Sequence, residues 1–184
     1  MGAKTVETAV VIVPPRELWG PIESYRRRYD RHQARWMPHL ALIYPFRPRE
    51  EFAEAEALVL QACAATAPFA ITLARLGVFP YTDRSSTLWV APDPPGPVSA
   101  LQQALQRVFP DCDDVARHPD GFTPHLCLGQ TFGPRQVDER LAELRAAWKP
   151  LSFQVRELSL LARTGDTPFT VVRTVRLGMR AVAI

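Results

Sequence analysis

Several things are scarce in this chain, and each shortage removes a class of protein. Its three cysteines, Cys63, Cys112 and Cys127, are odd in number and show no metal-ligand spacing. That argues against a disulfide-stapled scaffold and for reduced thiols in a cytoplasmic protein. No basic-then-apolar segment opens the sequence in the manner of a secretory signal, and no apolar run approaches the length of a bilayer span. A membrane association is therefore not expected, and nothing in the pattern calls for an obligatory protein partner. Lysine occurs only as Lys4 and Lys149, so arginine carries nearly all the positive charge. There is no low-complexity tract, so the 18 prolines read as punctuation between elements rather than as disorder.

What remains is the make-up of a globular enzyme or binding protein. The 184 residues suffice for one large domain or two small lobes with a sizeable core. Hydrophobic residues make up 47% and charged ones 22%, the balance of a packed, water-facing domain. A net charge of +3 is compatible with an anionic substrate without requiring one. The arginines gather in residues 16–35 (Arg16, Arg26, Arg27, Arg28, Arg31, Arg35) and in 151–184 (Arg156, Arg163, Arg173, Arg176, Arg180). Solvated helix and strand faces account for most of them.

The segment 7–13, ETAVVIV, reads as a buried strand stopped by Pro14 and Pro15. A helix opens near Pro21 with Ile22, Tyr25 and Tyr29 on one face and His32 continuing the stripe. A strand follows over 38–44, then a helix from Pro48 with Phe52, Ala55, Val59 and Ala62 inward, then a strand over 68–79. The order then repeats. A strand over 86–92 leads to a helix from Pro97, a strand over 123–129, a helix from Pro134, and a strand over 151–163 that pairs with 169–179 as a hairpin.

The repeat carries a motif. Residues 36–46 read WMPHLALIYPF, and 122–130 read FTPHLCLGQ. Both contain Pro-His-Leu-x-Leu, and the histidines lie 86 positions apart. Strand alternation turns Leu40 and Leu42 one way and His39 and Ala41 the other; Leu126 and Leu128 likewise oppose His125 and Cys127. The leucines are expected under helices and the histidines on a shared groove. Two imidazoles facing one groove suit paired proton transfer, one as general base and one as general acid. No metal or other cofactor is needed for it. His32 and His118, each seven residues before a motif histidine, bring four histidines to mind as a metal site, but their helix and loop positions do not converge.

These motifs resemble the 2H phosphoesterase superfamily, in particular the 2′-5′ RNA ligase / RNA 2′,3′-cyclic phosphodiesterase group, whose signature is His-x-Thr/Ser-x once per lobe. The copies here are His39-Leu40-Ala41-Leu42 and His125-Leu126-Cys127-Leu128. The resemblance implies an α+β fold with two pseudo-symmetric lobes of antiparallel sheet and helices around a central cleft. One lobe would span about residues 1–82 and the other 83–184, with strands free to cross between them. It implies metal-free opening of a 2′,3′-cyclic phosphate or a 2′-5′ linkage of RNA or a nucleotide, with His39 and His125 as the catalytic pair.

The chain departs from the signature at Ala41 and Cys127, where the family has phosphate-binding hydroxyls. A hydrogen bond to a charged group is worth about 1.5–3 kcal/mol, so each loss corresponds to roughly 10- to 100-fold. A non-catalytic RNA or nucleotide-phosphate binder of the same fold is thus the alternative reading. Further substrate contacts are sought at Gln130 (a phosphate or base edge, or solvent), at Tyr44 and Phe46 (base stacking or core), and at Arg163 (phosphate or solvent). Cys127 as a nucleophile is disfavoured, because neighbours two apart on a strand do not by themselves form a thiolate–imidazole pair.

Overall fold

The computed structural model describes residues 2–82, 85–118 and 120–179. The order is β1 (Thr8–Ile12), α1 (Trp19–Tyr29), β2 (Leu40–Ile43), α2 (Phe52–Cys63), β3 (Phe69–Thr82), β4 (Ser85–Asp93), α3 (Gly96–Val108), β5 (Leu126–Phe132), α4 (Pro134–Ala147), β6 (Leu151–Val155), β7 (Glu157–Ala162) and β8 (Thr170–Arg176). Arg180, counted among the C-terminal arginines, lies outside the described residues. The class is α+β, and the eight strands form one antiparallel sheet in the order β6-β3-β4-β5-β2-β1-β7-β8.

That order carries a near two-fold relation. It runs β2-β1-β7-β8 in one direction from the centre and β5-β4-β3-β6 in the other. The two motif strands, β2 and β5, form the central seam. They are joined by a single registered pair, Leu40 with Leu126. Every other neighbouring pair of strands shares three or more registered pairs, so the sheet is thinnest where the histidines stand.

The sheet must also curl. Only Arg156 separates β6 from β7 in sequence, yet they stand six places apart in the sheet. Laid flat, six strand spacings would cover about 29 Å, whereas two Cα–Cα steps reach about 7 Å. The edges therefore swing toward each other, and the Leu177 amide donates to the Arg156 carbonyl at this corner (2.9 Å). The expectation of one strand over 151–163 is corrected accordingly. Phe153 and Val155 are buried before the corner and Leu158 and Leu160 after it, with Arg156 and Glu157 both exposed between them. The inward parity changes from odd to even, which one continuous strand does not permit.

The main core lies between one face of the sheet and the helices, with Val10, Ile12, Leu40, Leu42, Leu126 and Leu128 all buried in it. The motif leucines point as strand alternation requires. A smaller cluster forms on the opposite face, where Ala9, Val11, Leu161 and Phe169 pack with Trp36, Met37 and Tyr44. Strand β1 is therefore buried on both faces, which is why ETAVVIV reads as a continuous apolar run rather than an alternating one. The smaller cluster supports the wall beside His39.

Helix α1 stops at Tyr29, and Asp30 turns into extended backbone (φ −100°, ψ 104°). His32 therefore sits in an exposed turn and does not continue the helix stripe. The stop is set by close packing, since α1 ends against Gly129 of β5. A Cβ built on Gly129 would lie 2.5 Å from the Tyr29 Cβ and 2.6 Å from its carbonyl carbon. Only glycine lets the helix end approach the strand this closely.

Candidate active site

The site begins with two prolines. Pro38 and Pro124 lack an N–H, and the registered ladder between β2 and β5 is confined to the Leu40–Leu126 pair just beyond them. The carbonyls one residue earlier accept side-chain bonds instead. His39 Nδ1 lies 2.7 Å from the Met37 carbonyl, and His125 Nδ1 lies 2.8 Å from the Thr123 carbonyl. A carbonyl only accepts, so each Nδ1 carries the proton and each neutral ring presents Nε2 as a lone pair. Both motifs thus fix the same tautomer by the same local device.

Antiparallel counting from Leu40–Leu126 sets His39 against Cys127 and Ala41 against His125. The four motif side chains make a square on one face, with the histidines on a diagonal. A positive charge on His125 disfavours one on His39, so the rings lie within electrostatic reach. Their surroundings differ. Trp36 stacks on His39 (4.6 Å between centroids, 21°) and also on Phe169 (3.6 Å), with Tyr44 edge-on to it (5.2 Å). His125 meets Phe79 in a T-shaped contact (4.9 Å, 84°) and Trp89 at 6.3 Å.

Burial pushes the His39 imidazole down to about 4; its bond to Met37 opposes this, while the charges of Arg26 and His125 assist it. Burial also lowers His125, against the pull of Thr123. Both rings are neutral at pH 7. The common cause is desolvation, which disfavours the charged form of each ring.

A cavity of about 220 Å³ opens beside the square, bordered by His39, Ala41, Cys127, Tyr44, Arg26 and Asp30 among others. His125 stands beside it without lining it. Arg26 and Asp30, which sequence reasoning missed, are nearly buried. Arg26 Nη2 lies 2.9 Å from Asp30 Oδ2, and its Nη1 is 2.7 Å from Glu23 Oε1. Arg26 also donates to the Trp36 carbonyl (2.8 Å), tying the helix to the residue stacked on His39. The legible signal was the spacing Glu23, Arg26, Asp30, two helical ion-pair steps with a common arginine. Only Arg26 of the triple arginine turns inward; Arg28 pairs with Glu143 at 3.1 Å.

The remaining expected contacts divide. Tyr44 borders the cavity, and so does Gln130. The Gln130 amide is engaged within the protein: its Oε1 accepts from the Arg31 amide (3.0 Å) and its Nε2 points to Asp30 Oδ1 (3.4 Å). Phe46 is fully buried against Phe52 and Phe109, so it packs the core and has no face for a base. Arg163 does not border the cavity; it stacks over Phe169 (5.4 Å) and donates to the Gly165 carbonyl. The Cys127 thiol is pushed up to about 12 by burial, which keeps it protonated and unsuited to attack. Among the described residues, no group of three or more His, Cys, Asp or Glu side chains could hold a metal ion. No helix among them is long and apolar enough to cross a membrane.

Comparison with known proteins agrees with this architecture. The family model described as the 2′-5′ RNA ligase superfamily matches residues 14–167. A Geobacillus kaustophilus protein named as a candidate phosphoesterase is 28% identical over 171 residues, 92% of this chain and 95% of its own. Among solved structures, TT0787 of Thermus thermophilus is 19% identical with a TM-score of 0.63, covering 94% of this chain and 98% of that one. E. coli LigT in its apo form is 20% identical with a TM-score of 0.62, covering 96% of this chain and 100% of its own. LigT is also known complexed with 3′-AMP, at a TM-score of 0.61.

Proposed function

The chain belongs to the 2′-5′ RNA ligase superfamily, the 2H phosphoesterases, and from that premise we propose that it opens RNA or nucleotide 2′,3′-cyclic phosphates, or cleaves 2′-5′ linkages, by metal-independent acid–base catalysis with His39 and His125. The observation that carries this reading is the matched pair of imidazoles, each fixed through Nδ1 on the carbonyl two residues earlier, so that each neutral ring presents Nε2 as a lone pair. The complex of LigT with 3′-AMP supports a nucleotide as the substrate class.

In the reaction, a water oxygen bonds to phosphorus while one Nε2 takes its proton. The bond from phosphorus to the departing ribose oxygen breaks, and the other imidazole, protonated beforehand, gives that oxygen a proton. Both rings are neutral in the free protein at pH 7, so the acid gains its proton as the anionic phosphate arrives and stabilises the imidazolium. Tyr44 offers a stacking surface beside the cavity.

The second reading, a nucleotide-phosphate binder without turnover, is favoured by Ala41 and Cys127. Incubation with adenosine 2′,3′-cyclic phosphate in EDTA separates the two. Turnover that disappears in both His39→Ala and His125→Ala is expected. Binding without turnover between pH 4 and 8 would establish the binder instead.

A further inference from the structure

The cavity beside His39 is poorly equipped to hold a phosphate alone. Ala41 has no donor and Cys127 only a weak one. The fixed charges of the Glu23, Arg26 and Asp30 cluster sum to minus one, and Arg26 is already committed to both carboxylates. A second cavity of about 250 Å³ adjoins the first, with His32 and Gln130 common to both walls. Its other polar lining is Arg31, Ser85, Ser86 and Thr87. None of its described lining residues is a carboxylate, and among the described residues Arg31 has no acidic partner; its Nε donates to His32 Nε2 (3.1 Å). The partition is tied on both sides. Thr87 is the cross-strand partner of Gln130, and the Gln130 Oε1 is held by the Arg31 amide (3.0 Å).

Resting on the reading above, we propose that this second cavity binds another phosphate of the same substrate, the one on the 5′ side of the nucleotide whose cyclic phosphate is opened. The guanidinium of Arg31 supplies the charge, and the Ser86 and Thr87 hydroxyls on β4 supply neutral donors. Binding lost at the two missing motif hydroxyls is recovered one phosphate away. The substrate class is then the cyclic-phosphate end of an oligoribonucleotide, or a 5′-phosphorylated nucleotide, in preference to a bare nucleoside cyclic phosphate.

The test uses two substrates that differ by one group: adenosine 2′,3′-cyclic phosphate with and without a 5′-phosphate. The 5′-phosphorylated form is expected to have at least about tenfold higher kcat/KM, expressed in KM, since one charge-assisted contact is worth that much. The ratio between the two substrates collapses toward one in Arg31→Ala and falls in Thr87→Val. A ratio near one in the unaltered protein overturns the proposal, as does a preference that Arg31→Ala leaves intact. Failure of the reaction itself is read separately. If neither compound is opened, titration with adenosine 2′,5′-bisphosphate against adenosine 2′-phosphate still reports the second cavity. Tighter binding of the bisphosphate that depends on Arg31 upholds it, and equal affinities refute it.

Discussion

Acidification should unfold this protein partly through one side chain. The perturbation is a shift from pH 7.5 to pH 4.5, applied to the native chain and to His39→Gln. In the unfolded chain His39 has the ordinary value near 6.5, whereas burial in the folded chain holds it at about 4. Above 6.5 the ring is neutral in both states, and stability is fully present. Between 6.5 and 4 the unfolded chain takes up a proton that the folded chain refuses, so stability falls as pH falls. Below 4 both states are protonated and the loss levels off. Each pH unit is worth about 1.4 kcal/mol, and the window ending at pH 4.5 is about two units wide. The rim of the ring reaches solvent, so roughly 2 kcal/mol is expected. Urea unfolding at both pH values, at matched ionic strength, gives the loss for each protein. His125, also lowered by burial, contributes a slope of the same sign to both and cancels in the comparison. The native chain should lose roughly 2 kcal/mol more than His39→Gln. Equal losses in the two proteins would refute the claim that the folded site holds His39 neutral.

Further expectations concern catalysis and packing. The kcat/KM profile for adenosine 2′,3′-cyclic phosphate should have its acid limb near the His39 value of about 4 and its alkaline limb below 6.5, because His125 is lowered too; a profile centred above pH 7 would contradict this. Ala41→Thr, which returns a hydroxyl to the cavity wall, should raise kcat/KM about 10-fold or more by adding a donor to the phosphate, and an unchanged or lower value in steady-state kinetics would show that the phosphate does not lie against residue 41. Gly129→Ala drives a Cβ to 2.5 Å from Tyr29 and should cost about 1–3 kcal/mol of overpacking; thermal unfolding indistinguishable from the native chain would show that α1 does not dock on β5 as described.

Much of the fold was legible because local signals agreed with one another. Proline marked the helix starts, and apolar alternation marked both motif strands with the correct inward face. The division of residues 151–163 was also written in the chain, as a change of apolar parity from Phe153 and Val155 to Leu158 and Leu160, although a run this apolar reads first as one strand. Long-range placement was not legible. Nothing local says that α1 packs on β5 from the other half of the chain, so Arg26 and Asp30 reach the cavity by a tertiary contact that no window of sequence contains. Phe46 was ambiguous for a related reason. An aromatic residue after a strand serves a ligand or a core, and the choice was made by Phe52 and Phe109, distant in sequence.

The protonation of the two histidines bears on enzyme against binder. A protein that only held phosphate would gain most from charged imidazoles, which add ionic attraction to hydrogen bonding. This site does the reverse. It partly buries both rings, holds them neutral at pH 7, and leaves each Nε2 as a lone pair, which an anion meets less favourably than a donor. That arrangement is unfavourable for the anion at rest and lowers stability in acid. It becomes useful when protons must move. A neutral Nε2 can accept from water, and an imidazole of depressed basicity, once protonated from solvent beside the bound phosphate, releases its proton readily to a leaving oxygen. The missing hydroxyls weaken ground-state grip on the phosphate, whereas the two fixed tautomers preserve the means of proton transfer. The balance therefore favours turnover, with affinity drawn from elsewhere on the substrate.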